Sequence, residues 1–230
     1  MVKGIVCTLG PSCYNLIGDL KNSGAVIFRI NGSFGIPYIR IIDELKEKNI
    51  PILVDLPGSR TKNKHMYVTD EDLIQFAINN KLDYVGLSYV KNAEEVKKLK
   101  EMLNPFNVKV IAKIENKEGF ENRVEIIKEA DKILIDRGDL GTSVGFENVP
   151  KYQLEILKSC NALNKEVIVA TEMMMSTLNS TKPNCADVSD VYFAVHHGAD
   201  YVMLSEETAI GKNPLETVKI MKRILDTLND

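Results

Sequence analysis

Several sequence features are missing from this chain of 230 residues, and each absence excludes a class of protein. The formal net charge is −3, so the chain lacks the basic excess that nucleic-acid binding requires. No apolar run approaches the length needed to cross a bilayer. The first residues, Met1-Val2-Lys3-Gly4, lead into a strand-like run without the apolar segment of a signal peptide. We therefore expect neither nucleic acid nor membrane as a partner, and the pattern indicates no particular oligomeric state.

Cysteine is scarce, and its spacing excludes the common cysteine frameworks. Cys7, Cys13, Cys160 and Cys185 form no CxxC pair and have no metal-ligand spacing. We interpret them as free thiols in a reducing compartment. The sequence therefore predicts a cytoplasmic protein.

Apolar runs of strand length recur along the whole chain. They are nearly continuous in apolar residues, as expected of strands that are buried on both faces of a parallel sheet. The predicted strands are Gly4-Thr8, Val26-Ile30, Ile52-Asp55, Tyr84-Ser88, Val108-Ile114, Lys132-Asp136, Val167-Ala170 and Tyr201-Leu204. The predicted helices between them are Asn15-Asn22, Pro37-Lys48, Asp70-Asn80, Ala93-Leu103, Glu121-Ala130, Pro150-Leu163, Asp187-His197 and Pro214-Leu228.

This strict alternation of strand and helix predicts an α/β fold. A single domain over residues 1–230, folded as one (β/α)8 TIM barrel, accounts for the pattern. An open, doubly wound sheet is the alternative. The sequence contains no GxGxxG or Walker A pattern to support that alternative.

Polar clusters directly follow or end the apolar runs, where a parallel barrel assembles its active site. Lys113 stands two residues before Glu115, and Asp139 lies in a glycine-rich turn, an arrangement that suits a divalent cation and an anionic substrate. A lysine in an otherwise apolar strand is costly unless it has a partner. The clusters are Arg29-Ile30-Asn31-Gly32-Ser33, Asp55-Leu56-Pro57-Gly58, Lys113-Ile114-Glu115-Asn116, Arg137-Gly138-Asp139-Leu140-Gly141, Ala170-Thr171-Glu172-Met173 and Met203-Leu204-Ser205-Glu206-Glu207-Thr208.

In this order the clusters resemble the catalytic barrel of the pyruvate kinase family, a TIM barrel that binds phosphoenolpyruvate and pyruvate. The likeness begins at Lys3-Gly4-Ile5-Val6-Cys7-Thr8-Leu9-Gly10-Pro11 and continues to Gly211, so it covers nearly the whole chain. Each motif alone is weak evidence, whereas six in order indicate homology. The resemblance implies a phosphotransferase-type enzyme, related to glycolysis, that uses magnesium.

The resemblance assigns roles to charged residues. Glu115 and Asp139 match the carboxylates that bind Mg²⁺, or Mn²⁺, although solvated acids at strand ends are the alternative. Lys113 matches the lysine that neutralises the phosphoryl group of phosphoenolpyruvate or the enolate oxygen of pyruvate. Arg29 matches the arginine that grips the substrate phosphate, and Ser88 matches a serine of the same pocket.

Other matched groups concern the substrate carboxylate and a proton. The backbone N–H groups of Gly138 and Asp139 stand where the substrate carboxylate binds. Thr171 matches the threonine placed near the enolate carbon, and Ser205 with Glu207 matches a polar relay that assists the proton transfer. For Thr171 and Ser205, a hydroxyl bonded to neighbouring backbone is the alternative.

A monovalent cation is also implied. Asn31, Ser33, Asp55 and the carbonyl of Leu56 match the ligands of the family's K⁺. Aligned without gaps, Arg60 occupies a position that is glutamate in potassium-dependent relatives and lysine in potassium-independent ones. Either the ion or the Arg60 guanidinium therefore fills this site.

The chain also departs from the family pattern. A separate lid domain interrupts the family's barrel after the third strand, whereas here Asp55 and Asp70 are separated by only a short segment. Phe34 replaces a histidine that contacts the nucleotide, and Lys62 replaces an arginine that serves the transferred phosphate. The family's C-terminal assembly domain is likewise not expected. The groups for metal and enolate are thus present while several groups for nucleotide are changed.

Three functions follow from this uneven pattern. The first is the family reaction, phosphoryl transfer to ADP, which we expect to be weak or lost, so that ADP is a doubtful partner. The second is a nucleotide-independent enzyme acting on pyruvate or another 2-keto acid, of the oxaloacetate decarboxylase or pyruvate aldolase/lyase type. The third is a non-catalytic phosphoenolpyruvate sensor. The paired His196-His197 is interpreted as a helix cap rather than a metal site.

Overall fold

The eight strands of the computed structural model lie close to the predicted runs. The structure describes residues 2–34, 39–58 and 69–228. Within that part the strands are β1 Gly4–Thr8, β2 Ala25–Asn31, β3 Ile52–Asp55, β4 Tyr84–Leu87, β5 Lys109–Ile114, β6 Lys132–Asp136, β7 Val167–Ala170 and β8 Tyr201–Leu204. Their order is that of a closed barrel, from β1 to β8. The predicted parallel (β/α)8 class is confirmed.

The helices follow the strands in alternation, with extra short helices that the sequence did not predict. The helices of the described residues are α1 Ile17–Asn22, α2 Ile39–Glu47, α3 Asp70–Asn79, α4 Ala93–Leu103, α5 Lys117–Glu121, α6 Arg123–Glu129, α7 Arg137–Val144, α8 Val149–Ala162, α9 Cys185–His196, α10 Glu206–Ala209 and α11 Pro214–Asp226. The helix predicted over Glu121-Ala130 is α6, and α5 is an additional short helix before it. Helix α7 falls in a cluster that was interpreted as a glycine-rich turn, and α10 falls in a cluster for which no helix was predicted.

The helix caps explain where several helices begin and end. Thr69 accepts a hydrogen bond from the Asp72 N–H, and the Asp72 carboxylate accepts one from the Thr69 N–H, which is a capping box. The Thr69 N–H and the Thr69 hydroxyl both donate to the Asp72 carboxylate, and these two bonds lower the pKa of the Asp72 carboxyl. At the end of α9, His197 lies 2.8 Å through Nδ1 from the Phe193 carbonyl oxygen. His197 is therefore the C-cap of α9, as predicted, and His196 is the last residue of the helix.

The chain divides into two compact units. The first comprises Met1–Arg29, Pro37–Pro51 and Ile168–Asp230, and in it β1 pairs in parallel with β2 and with β8. Helices α9 and α11 pack together there, and α11 also contacts β1. Fully buried apolar side chains, including Ile5, Val202 and Val218, fill this unit.

The second unit comprises Ile30–Ile36 and Ile52–Val167, and it contains the parallel strands β3, β4, β5 and β6. Helix α6 packs between α4 and α8 on this unit. The strands are buried along most of their length, as expected for a parallel sheet covered on both faces. On β3, β4, β5 and β6, charged side chains lie only at the first or last position of a strand and at one interior position, Lys113.

Candidate active site

A fully buried lysine is the centre of a charged cluster in the second unit. The Lys113 ammonium lies 3.1 Å from Asp55 Oδ2, 3.1 Å from Glu115 Oε2 and 3.3 Å from Asp136 Oδ2. It also donates a hydrogen bond to Ser88 Oγ at 3.2 Å. All three carboxylates are buried, so these ion pairs are screened little by solvent. The cost of burying Lys113 is offset by three opposite charges.

The strand register explains why these side chains meet. Lys113 is paired with Leu134, and Ile114 with Ile135, so the next step along β5 and β6 places Glu115 beside Asp136. Side chains two residues apart share a face of a strand, which puts Lys113 and Glu115 on the same side. The Tyr89 backbone N–H donates to Glu115 Oε1 at 2.6 Å and fixes the carboxylate.

Three carboxylates of this cluster are close enough to share a metal ion. One ligand oxygen from each of Glu115, Asp136 and Asp139 lies within 4.8 Å of the others. Hard divalent cations such as Mg²⁺ and Mn²⁺ prefer oxygen ligands of this kind, so the donor set fits them. Asp136 was not among the sequence-predicted site residues. Its position as the last residue of β6, on the face of Lys113 and Glu115, is the signal that reveals it.

Helix α7 begins at this cluster. Asp136 is its N-cap, and the Asp136 side chain accepts a hydrogen bond from the Asp139 backbone N–H at 3.5 Å. Gly138 and Asp139, whose N–H groups the resemblance assigned to the substrate carboxylate, are thus in the first turn of a helix. Helix N-termini favour anions, and the Asp136 carboxylate occupies this position itself.

The residues predicted for a monovalent cation also lie in the second unit. Asn31 accepts the Ser33 N–H through Oδ1 at 3.1 Å, and a Cβ placed on Gly32 would lie 2.5 Å from the Asp55 carbonyl oxygen. The loop after β2 therefore packs against the end of β3. The Leu56 carbonyl accepts a hydrogen bond from Ser88 Oγ at 2.6 Å. Arg60 and Lys62 lie outside the described residues, as does the side chain of Phe34, so the alternative of a guanidinium stays a prediction.

The remaining predicted residues belong to the first unit. Arg29 is buried within β2, and its Nη1 donates to Thr8 Oγ1 at 3.3 Å. Thr171 directly follows β7 with a φ of +65°, and its hydroxyl donates to the Ala170 carbonyl at 2.7 Å. Glu172 also has a positive φ, of +55°. Two successive non-glycine residues in this region mark a strained turn, a feature that clusters at functional sites.

Ser205 and Glu207 form a small network after β8. The Ser205 and Met174 backbone N–H groups donate to the Glu207 carboxylate at 2.7 Å and 3.4 Å. Ser205 Oγ is buried and has no hydrogen-bond partner among the described residues. Burial raises the pKa of the Glu207 carboxyl. A buried acid whose protonation is favoured by its surroundings is suited to proton transfer.

Comparison of the sequence with known proteins identifies its family. A family model described as pyruvate kinase, barrel domain, matches residues 44–218. The chain belongs to the pyruvate kinase family. The pyruvate kinase of Methanocaldococcus jannaschii is 38% identical over 219 residues, which cover 94% of this chain and 48% of that protein. The pyruvate kinase of Geobacillus stearothermophilus is 39% identical over 188 residues, 80% of this chain and 31% of that protein.

A plant relative extends the comparison. The cytosolic pyruvate kinase isozyme of Glycine max is 37% identical over 223 residues, 96% of this chain and 41% of that protein. The chain thus spans about half, or less, of the length of these curated pyruvate kinases. Across the described residues, no helix combines the length and the apolar character that crossing a membrane requires.

Proposed function

We propose that this pyruvate kinase barrel is an enzyme that binds phosphoenolpyruvate or pyruvate together with Mg²⁺ or Mn²⁺. The observation that supports this is the buried Lys113 ammonium next to Glu115 and Asp136, with Asp139 on the adjoining helix. A bound divalent cation would supply Lewis-acid polarisation of the keto oxygen. Lys113 adds a fixed positive charge in a buried environment, where charge stabilises a developing enolate more than it does in water.

Each further residue has a separate task. The Gly138 and Asp139 backbone N–H groups bind the substrate carboxylate, in competition with the Asp136 side chain. In the first unit, Arg29 binds the substrate phosphate and Thr171 holds the proton that the enolate carbon gains or loses. Ser205 and Glu207 exchange that proton with solvent.

The proposal separates enolate chemistry from phosphoryl transfer. Strand β3 ends at Asp55 and α3 begins at Asp70, so the interval where pyruvate kinases carry a lid domain is too short for one. A lid positions the nucleotide and excludes water, and its absence lowers the rate of transfer to ADP. This observation favours the second candidate, an oxaloacetate decarboxylase or a pyruvate aldolase/lyase that needs no nucleotide.

Parallel assays on one preparation test the proposal. The first couples phosphoenolpyruvate, ADP and Mg²⁺ to pyruvate formation, the second follows oxaloacetate decarboxylation, and the third follows exchange of pyruvate methyl protons with solvent. We expect Mg²⁺-dependent exchange or decarboxylation that disappears in Glu115→Gln and Asp139→Asn, with transfer to ADP far slower or undetectable.

Each other result has a defined meaning. Kinase turnover equal to that of a full-length pyruvate kinase would return the protein to the family reaction. Binding of phosphoenolpyruvate without exchange, decarboxylation or transfer would instead support a sensor. Asp131→Asn is a matched control. Asp131 precedes β6, at the opposite end of the strand from Asp136, and its carboxylate accepts a hydrogen bond from the Val110 N–H.

A further inference from the structure

We propose that Asp136 is a third carboxylate ligand of the divalent cation, so that Glu115, Asp136 and Asp139 together bind the metal before any substrate is present. This inference rests on the proposed metal site and adds a residue that the resemblance does not assign. Asp136 ends β6, one strand away from Glu115 and three residues before Asp139. The metal would therefore connect two strand ends and the first turn of α7.

Geometry is the first argument. The register of β5 and β6 sets Glu115 and Asp136 side by side, and their ligand oxygens lie within 4.8 Å of each other and of one oxygen of Asp139. Oxygens that ligate the same Mg²⁺ lie about 2 Å from the ion, so a small closure brings all three into range. A cluster at this spacing needs no change in the strands.

The present contacts of Asp136 are the second argument. Its Oδ1 accepts the Asp139 N–H at 3.5 Å, at the outer limit of a hydrogen bond, and its Oδ2 lies 3.3 Å from the Lys113 ammonium. A long bond of this kind is exchanged for a metal ligand at little cost. Moving Oδ1 to the metal also releases the Asp139 N–H, which the proposed substrate carboxylate needs.

Charge is the third argument. The affinity of an oxygen site for a divalent cation increases with the number of its carboxylates. With Asp136 the protein contributes three carboxylates, whereas the family pattern matched by Glu115 and Asp139 contributes two. We therefore expect the substrate-free protein to bind Mn²⁺ on its own.

The test measures metal binding directly, without activity. Mn²⁺ is titrated into the substrate-free, potassium-free chain, and free Mn²⁺ is followed by electron paramagnetic resonance. Asp136→Asn keeps an N-cap side chain for α7 and removes one charge. We expect it to weaken Mn²⁺ binding by about 100-fold or more, because the loss of a ligand should exceed the roughly 10- to 100-fold loss that removal of an outer-shell partner causes. Asp131→Asn should leave the affinity within about twofold of the original.

A second control separates ligation from an effect through Lys113. Asp55 is as buried as Asp136 and lies 3.1 Å from the Lys113 ammonium, compared with 3.3 Å for Asp136. Asp55 is not part of the three-carboxylate cluster. Asp55→Asn should therefore weaken Mn²⁺ binding much less than Asp136→Asn. Equal losses in the two variants would show that Asp136 acts through charge or through Lys113, and would overturn its role as a ligand.

The outcomes also separate this inference from the proposed function. If Mn²⁺ binding depends on Glu115 and Asp139 but is unchanged in Asp136→Asn, the third ligand is wrong and the proposed metal site stands. If the original chain binds no Mn²⁺, both fail. Should Asp136→Asn not fold, a crystal of the unaltered protein soaked in Mn²⁺ decides: an Asp136 oxygen at about 2.2 Å from the ion supports the inference. An Asp136 that stays on the Asp139 N–H overturns it.

Discussion

The strand ends of the two units hold their polar groups in different ways. At the ends of β3, β5 and β6 in the second unit, full charges face one another, with Lys113 within 3.3 Å of Asp55, Glu115 and Asp136. After β7 and β8 in the first unit, the Thr171 hydroxyl is bonded to the Ala170 carbonyl and the Glu207 carboxylate to backbone N–H groups. Ion pairs therefore hold the polar groups of the second unit, and hydrogen bonds to the backbone hold those of the first unit.

This difference shows what each region contributes to the proposed chemistry. Buried charges interact strongly because solvent screens them little, so the cluster around Lys113 is suited to holding a cation and a charged intermediate. In the strained turn at Thr171 and Glu172, with φ values of +65° and +55°, the backbone instead sets the direction of the neutral Thr171 hydroxyl. A neutral group of this kind is suited to proton transfer rather than to charge stabilisation.

Among the substitutions in the two units, removal of Lys113 should have the largest effect on stability and on the rate of proton exchange. Lys113→Met takes away the ammonium that three buried carboxylates share, and breaking such a buried pair costs about 3–5 kcal/mol. We expect proton exchange of pyruvate to fall about 10³-fold, the upper range for losing one charge stabiliser. Chemical denaturation measures the stability, and deuterium exchange followed by NMR measures the rate.

Lys132 provides the matched control for that change. It is also a buried lysine, it pairs with Glu166, and its ammonium lies over the Tyr84 ring at the opposite end of β6. Lys132→Met should reduce stability and leave the exchange rate nearly unchanged. If the two variants lost activity equally, the cluster around Lys113 would be structural rather than catalytic.

The sequence predicted Lys113 and Glu115 of the charged cluster but not Asp136, for a physical reason. Lys113 and Glu115 stand out because charges are rare in a buried strand, and their spacing places them on one face. Asp136 was missed because its neighbour on β5 is set by the register of two strands that lie far apart in the sequence. Such pairing is a tertiary property that composition does not encode.

Local backbone geometry accounts for the other differences. Helix α7 begins at a motif that contains Gly138, a residue type that favours turns, so the segment was interpreted as a turn. Helix α10 is only four residues long, and no helix was predicted there. The break between α5 and α6 falls at Asn122, at the start of the helix predicted over Glu121-Ala130. The φ values of Thr171 and Glu172 are positive, and neither residue type signals such values in a sequence.

The second prediction concerns the Thr171 hydroxyl in the first unit. Thr171→Ala removes the hydroxyl and Thr171→Ser retains it, so only the alanine variant should slow proton exchange, by about 10²-fold. Binding of oxalate, a stable mimic of the enolate, should be unchanged in both, because the negative charge of oxalate is balanced by Lys113 and by the metal that the carboxylates would bind. If Thr171 only ties its hydroxyl to the Ala170 carbonyl, the alanine variant will lose stability and keep its exchange rate.

The smallest effect is expected at the neighbouring residue, where the strain itself can be measured. Glu172 is exposed and has a φ of +55°, a conformation that costs a non-glycine residue about 1–2 kcal/mol. Glu172→Gly should therefore raise the free energy of unfolding by about 0.5–1 kcal/mol, after the larger unfolded-state entropy of glycine is subtracted. Lys219→Gly, at an exposed position inside α11, should lower it by about 1 kcal/mol. Changes of opposite sign in urea denaturation would confirm that the turn after β7 stores strain. A loss at both positions would mean that Glu172 is stabilised by its side chain, and that the turn is held by contacts rather than against its own preference.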